Sequence, residues 1–174
     1  MSYNHILFLQ KYSYLKKLPG SLLFAWCLHL MACTVPAGVF EKDIALPDQQ
    51  WTSNFRPTIS FDIKDADTSY PYNIYLVLRH TDAYNYNNIW IRGTFRREGD
   101  TAQRTERYDL MLATNEKGWL GSGMDDIYEH RVQIKQDIWF KHPGVYTFTL
   151  EQIMREDPLK HILNVGVRIE KTSL

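Results

Sequence analysis

The 174 residues carry 20 basic and 20 acidic side chains and a formal charge of zero. No basic run is left beyond the first residues, which removes nucleic acid and anionic lipid as partners held by charge. A chain of this length reads as one domain, because a second independent core would have too little apolar surface to close. With two cysteines in all, a disulfide framework is excluded.

The chain opens on a leader. Lys11, Lys16 and Lys17 stand without an acid, and an apolar run from Leu22 to Ala32 follows. A basic stretch before a short apolar one is the pattern of an export signal. About a dozen apolar residues fall short of the roughly 20 that a bilayer-spanning helix needs. The run ends in Leu30-Met31-Ala32-Cys33, which resembles the lipobox of bacterial lipoproteins, where a peptidase cuts before a cysteine already carrying diacylglycerol. Cys27 lies inside the leader, so cleavage leaves Cys33 as the single sulfur nucleophile. Two or three acyl chains there hold a protein on its membrane where one is marginal. The reading is therefore residues 1–32 as signal peptide, 33–48 as lipidated N-terminus and tether punctuated by Pro36, Gly38 and Pro47, and 49–174 as the folded domain. Loss of three lysines and no acids leaves the mature part mildly acidic.

From residue 58 onward apolar residues recur at every second position. Ile59, Phe61 and Ile63 form the first such set, then Ile74, Leu76 and Leu78, and then Ile89 and Ile91. Tyr108, Leu110 and Leu112 follow, with Val132 and Ile134, then Tyr146, Phe148 and Leu150, and last Val165, Val167 and Ile169. Strict alternation is the mark of strands buried on one face. About seven or eight strands separated by turns predict an all-β fold, an antiparallel, jelly-roll-like β-sandwich. The turns are Asp65 to Ser69, Asn115 to Gly118 and His142 to Gly144. One short helical turn is predicted where Asp157 precedes Pro158, running through Leu159 and Ile162 and ending near Asn164.

Chemistry is sparse. His80, His130, His142 and His161 lack metal-ligand spacing and read as scattered surface histidines; no metal site is expected. Asp125, Asp126 and Glu129 form the densest acid cluster, beside Gly118-Trp119-Leu120-Gly121-Ser122-Gly123. A polar turn with glycines at positive φ accounts for it better than a glycosidase pair or a calcium site. No nucleophile elbow, phosphate loop or dinucleotide fingerprint is present, so no enzymatic activity and no cofactor beyond the lipid on Cys33 are expected. The aromatics Tyr70, Tyr72, Tyr84, Tyr86, Trp90 and Trp119 fall in or beside turns. Of these Tyr84, Tyr86, Trp90 and Trp119 are the candidate interaction surface, since exposed aromatics stack on sugars or fill a partner's pocket.

Several co-linear segments carry a family resemblance: Phe61-Asp-Ile-Lys-Asp65, Tyr72-Asn-Ile-Tyr75, Tyr84-Asn-Tyr86-Asn-Asn88, Gly118 to Gly123 with Asp126-Ile-Tyr128, and Glu151-Gln-Ile-Met-Arg155 through Val165-Gly166. In these the chain resembles the gliding motility-associated lipoproteins of the GldH type found in Bacteroidota. The departures are His161 and Asn164, where small or acidic residues are common in the family. The resemblance implies a non-catalytic envelope component of the gliding machinery and its associated protein secretion, with other envelope proteins as partners. A carbohydrate-binding module is the alternative that the turn aromatics keep open; a hydrolase acting through Asp125, Asp126 or Glu129 comes third. Thr34-Val-Pro-Ala-Gly follows Cys33 and acids begin only at Glu41, unlike the acidic start typical of surface-exposed lipoproteins of that phylum. That points to the periplasmic side, without choosing between the two membranes.

Overall fold

Alternation in the sequence becomes alternation of burial. Along Thr58–Ile63 the odd-numbered Ile59, Phe61 and Ile63 are buried and the residues between them exposed. The computed structural model describes residues 39–172, and the leader with Cys33 lies outside them. Strands in chain order are β1 Val39–Ala45, β2 Gln50–Trp51, β3 Thr58–Ile63, β4 Pro71–Thr81, β5 Asn88–Arg97, β6 Arg104–Met111, β7 Ala113–Thr114, β8 Gly118–Trp119, β9 Ser122–Met124, β10 Ile127–Trp139, β11 Gly144–Gln152, β12 Leu159–Lys160 and β13 Ile162–Lys171.

One sheet has five strands in the order β1-β13-β4-β10-β9, and a second has four in the order β3-β11-β5-β6. Every pairing is antiparallel. Ile74, Leu76 and Leu78 of the first sheet join Ile59, Ile91 and Leu150 of the second in one buried cluster, which makes the fold a β-sandwich. Its eight longer strands match the alternating sets read from the sequence plus β1. The remaining strands are pairs or triplets of residues that tie down loops.

Two expectations change. The tether predicted over 33–48 is shorter, because β1 pairs with β13 from Val39↔Glu170 to Ala45↔Asn164. Phe40 and Ile44 pack against the core, but Lys42 shares their parity and masks the period. Charged Glu41, Lys42 and Asp43 suit an edge strand, where they discourage pairing with another chain.

The helical turn expected after Asp157 is also absent. Pro158 is followed by the strand pair β12 and β2, with Leu159 opposite Trp51. Leu159 and Ile162 are both fully buried, and His161 between them takes φ 66°. The Asp157 carboxylate accepts the Ser53 N–H at 2.9 Å, a partner 104 residues away, instead of capping the backbone ahead of it.

The strands run the length of the sandwich, so its ends are distinct. At one end β1 starts, β13 finishes, and the connections β3–β4, β5–β6 and β10–β11 turn; this is the near end. The far end holds β2, residues 82–87, 112–126 and 153–161. Among the described residues no helix is long and apolar enough to cross a membrane.

Candidate functional site

Register places a titratable pair inside the far end. His80 on β4 lies directly opposite Tyr128 on β10, and His130 is two residues further along β10 on the same face. Diagonal neighbours of this kind are within reach of ring side chains. His80 is fully buried and His130 is 3% exposed, and their Nε2 atoms are 2.9 Å apart. His80 Nδ1 lies 2.7 Å from the Thr81 carbonyl oxygen, which can only accept. His80 is therefore the Nδ1–H tautomer, and His130 Nε2–H donates to its bare Nε2.

Both rings are neutral in this arrangement. Burial pushes His80 below the usual imidazole range. Burial, reinforced by the neighbouring His80, takes His130 down to about 4. This corrects the reading of these two as surface histidines. The signal was present: His80 has the parity of Ile74, Leu76 and Leu78, and His130 that of Val132 and Ile134. Among the described residues no group of three or more His, Cys, Asp or Glu converges to hold a metal.

Around His80 the rings of Trp119, Tyr84 and Tyr128 pack with centroids at 4.4, 5.3 and 5.8 Å. Tyr84 is 4% exposed and donates its hydroxyl to the Asn88 carbonyl at 3.0 Å. Burial raises its phenol pKa. Thus two of the four aromatics proposed for an interaction surface, Tyr84 and Trp119, serve mainly as internal supports.

The other two face outward. Trp90 on β5 is 40% exposed, and Tyr86 is half-buried with its hydroxyl donating to Glu156 Oε2 at 2.7 Å. They line an open groove of about 470 Å³ with Ile153, Met154, Arg107 and Arg155.

The groove wall is the segment after β11, which two contacts hold to β5. Ile153 N–H donates to the Trp90 carbonyl at 3.0 Å, and Trp90 N–H to Met154 Sδ at 3.2 Å. Beneath it Gln152, 1% exposed, accepts Met154 N–H at 2.8 Å and donates to the carbonyls of Trp51 and Glu156 at 3.4 and 3.3 Å. A buried amide with its partners in place fixes the loop around it. Ile153, Met154, Arg107 and Arg155 are functional candidates that pattern reading missed, although Glu151 to Arg155 was among the segments carrying the family resemblance.

Asp125, Asp126 and Glu129 all line one open surface hollow of about 270 Å³, with Arg79 in its wall. Asp125 and Asp126 are the two-residue turn between Met124 and Ile127, with Asp125 at φ 56°. Glu129 instead pairs with Arg131 at 2.8 Å and Arg79 at 3.6 Å. Of the three neighbouring glycines only Gly118 has positive φ. Gly121 is needed for another reason: a Cβ there would lie 2.5 Å from the Glu129 carbonyl oxygen.

Residues 38–169, which include the groove and the histidine pair, match the family described as GldH lipoprotein. The chain belongs to the GldH lipoprotein family. A relative from Flavobacterium johnsoniae, named gliding motility lipoprotein GldH, is 30% identical over 120 residues, 65% of this chain and 74% of the relative. One from Christiangramia forsetii, named gliding motility lipoprotein GldH homolog, is 27% identical over 122 residues, 66% of this chain and 74% of the relative. Family membership makes this a lipid-anchored protein of the cell envelope.

Proposed function

We propose that this GldH-family chain is a non-enzymatic, periplasm-facing lipoprotein. It is anchored by lipid on Cys33 and serves the gliding machinery and its associated protein secretion by contacting other envelope proteins. The contact surface is the groove of Tyr86, Trp90 and Met154. The observation that carries this reading is an exposed indole beside a methionine and two arginines, seated on a loop that buried Gln152 holds. Aromatic, methionine and arginine side chains are the types enriched where proteins meet, and rigid seating lowers the entropy that binding must overcome. The names of the relatives supply the process.

The anchor is tested by intact-mass analysis of membrane-extracted protein. A mature N-terminus at Cys33 bearing acyl mass, absent in Cys33→Ala, is the expected result; an unmodified wild-type chain overturns the anchor. The role is tested by crosslinked capture from solubilised envelope, where recovery of no motility or secretion component overturns it. A carbohydrate-binding module draws on the same exposed Trp90. It requires affinity for an envelope glycan at millimolar ligand or below that disappears in Trp90→Ala.

A further inference from the structure

We infer that the near end of the sandwich seats on the lipid surface, with the indole of Trp139 and the ring of Tyr70 in the headgroup region. The inference rests on the reading of Cys33 as the lipidated residue. From Cys33 to Val39 are six residue steps, which span at most about 21 Å when fully extended. β4 has 11 residues and is therefore about 35 Å long. The tether is shorter than the sandwich, so the end at which β1 starts is the end it holds closest to the bilayer.

That end exposes the side chains suited to an interface. Trp139 closes β10 opposite Pro71 and is 53% exposed; Tyr70, directly before Pro71, is 40% exposed. The two aromatics thus lie at the same end of the molecule, where β10 finishes and β4 begins. Trp139 also forms the lip of a cleft of about 160 Å³ between the sheets, lined by Ile74, Phe95, Phe140 and Tyr146 together with charged residues that include the Lys135–Glu106 ion pair. The exposed indole stands at the mouth of a cleft whose rings reach into the core. Lys171 sits over the Tyr70 ring at 4.3 Å, and Lys141 follows two residues after Trp139.

Tryptophan and tyrosine partition to the membrane interface because each joins an apolar ring to a polar tip, and lysine stems extend beside them toward the headgroups. The far end exposes Met111, Leu120 and Met124 at 61%, 45% and 77%, together with Trp90 and Phe55 at 40% and 36%, but the tether does not reach that end. Part of the positive charge at the near end is cancelled in ion pairs, Lys171 with Asp67 at 3.0 Å and Arg97 with Asp100 at 2.8 Å. Aromatic partition is the driving term. End-on seating directs the groove of Trp90 and Met154 away from the membrane.

The test reconstitutes the processed full-length protein in phosphatidylethanolamine vesicles containing dibrominated phosphatidylcholine, which quenches only indoles at lipid depth. Trp139→Phe is expected to abolish most of the bromolipid-dependent quenching, and Trp90→Phe to leave it in place. The same samples are weighed by mass spectrometry. Acylated protein whose quenching is absent, or survives Trp139→Phe, overturns the seating alone. A chain without acyl mass overturns the seating together with the anchor on which it rests.

Discussion

Two rings occupy equivalent places at opposite ends of the sandwich. Near-end Phe61 packs against Phe40, Phe95, Phe140 and Tyr146, with centroids between 5.6 and 6.2 Å. Far-end His80 packs against Trp119, His130, Tyr84 and Tyr128, with centroids between 4.4 and 5.8 Å. Each is the hub of an aromatic cluster and each is buried. The difference is chemical. The near-end hub has no proton to gain, so its packing is indifferent to pH, whereas the far-end hub packs well only while it and His130 stay neutral. The end that carries the groove is therefore the end whose core is conditional.

The comparison breaks most strongly at Phe61. Removing a 5%-exposed phenylalanine that four rings surround leaves a cavity that relaxes only in part, and Phe61→Ala is expected to cost about 3–5 kcal/mol. Urea denaturation measures this directly. A loss below about 1 kcal/mol would show that the near-end cluster repacks freely, contrary to its description as a rigid hub.

Acidification sharpens the contrast. An unfolded histidine titrates near 6.5 and folded His130 near 4, so between these values the unfolded chain binds more protons and stability falls as pH drops. Above about 6.5 both states are neutral there and stability is level. From pH 8 to pH 5, His130 alone accounts for a loss of about 2 kcal/mol. His80, displaced in the same direction, adds to it. Urea midpoints at the two pH values provide the check, with His130→Leu as the control. That variant loses the donor to His80 Nε2 and some stability at pH 8, but its remaining pH dependence is expected to shrink. An undiminished acid loss in the variant would place the titrating group elsewhere.

Most of this fold was legible because one rule covers it. Alternation located β3, β4, β5, β6, β10, β11 and β13, since each buries one face against the opposite sheet. The rule failed where a residue was placed for a distant partner. β1 hid behind Lys42 because an edge strand tolerates a charge on its inner parity. Asp157-Pro158 has the local chemistry of a helix start, yet Ser53 claims the carboxylate and Trp51 pairs with Leu159. Of the candidate surface, Trp90 was legible as an outward residue between buried Ile89 and Ile91. Tyr84 and Trp119 were not separable from it, because aromatic strand formers serve core and surface alike. Met154 and Gln152 depend on how the loop after β11 folds back on β5, which no spacing in the sequence encodes.

The smallest expected change in stability is at Trp90, and there the two ends differ in what a ring is for. Trp90→Ala removes a side chain that is 40% exposed while keeping both backbone contacts to Ile153 and Met154, so its cost in folding is expected to stay within about 0.5 kcal/mol. The same change strips the indole from the groove. If the groove is the contact surface, capture of the envelope partner should weaken by about tenfold or more, the scale of a buried aromatic anchor. Unfolding midpoint and crosslinking yield, measured on one preparation, separate the two roles. Capture that survives an intact Trp90→Ala fold would move the interface away from this groove. Capture lost together with about 2 kcal/mol of stability would make Trp90 a structural ring like Phe61. Only capture lost from a stable fold fits a far end whose inner rings hold the shape and whose outer ring meets the partner.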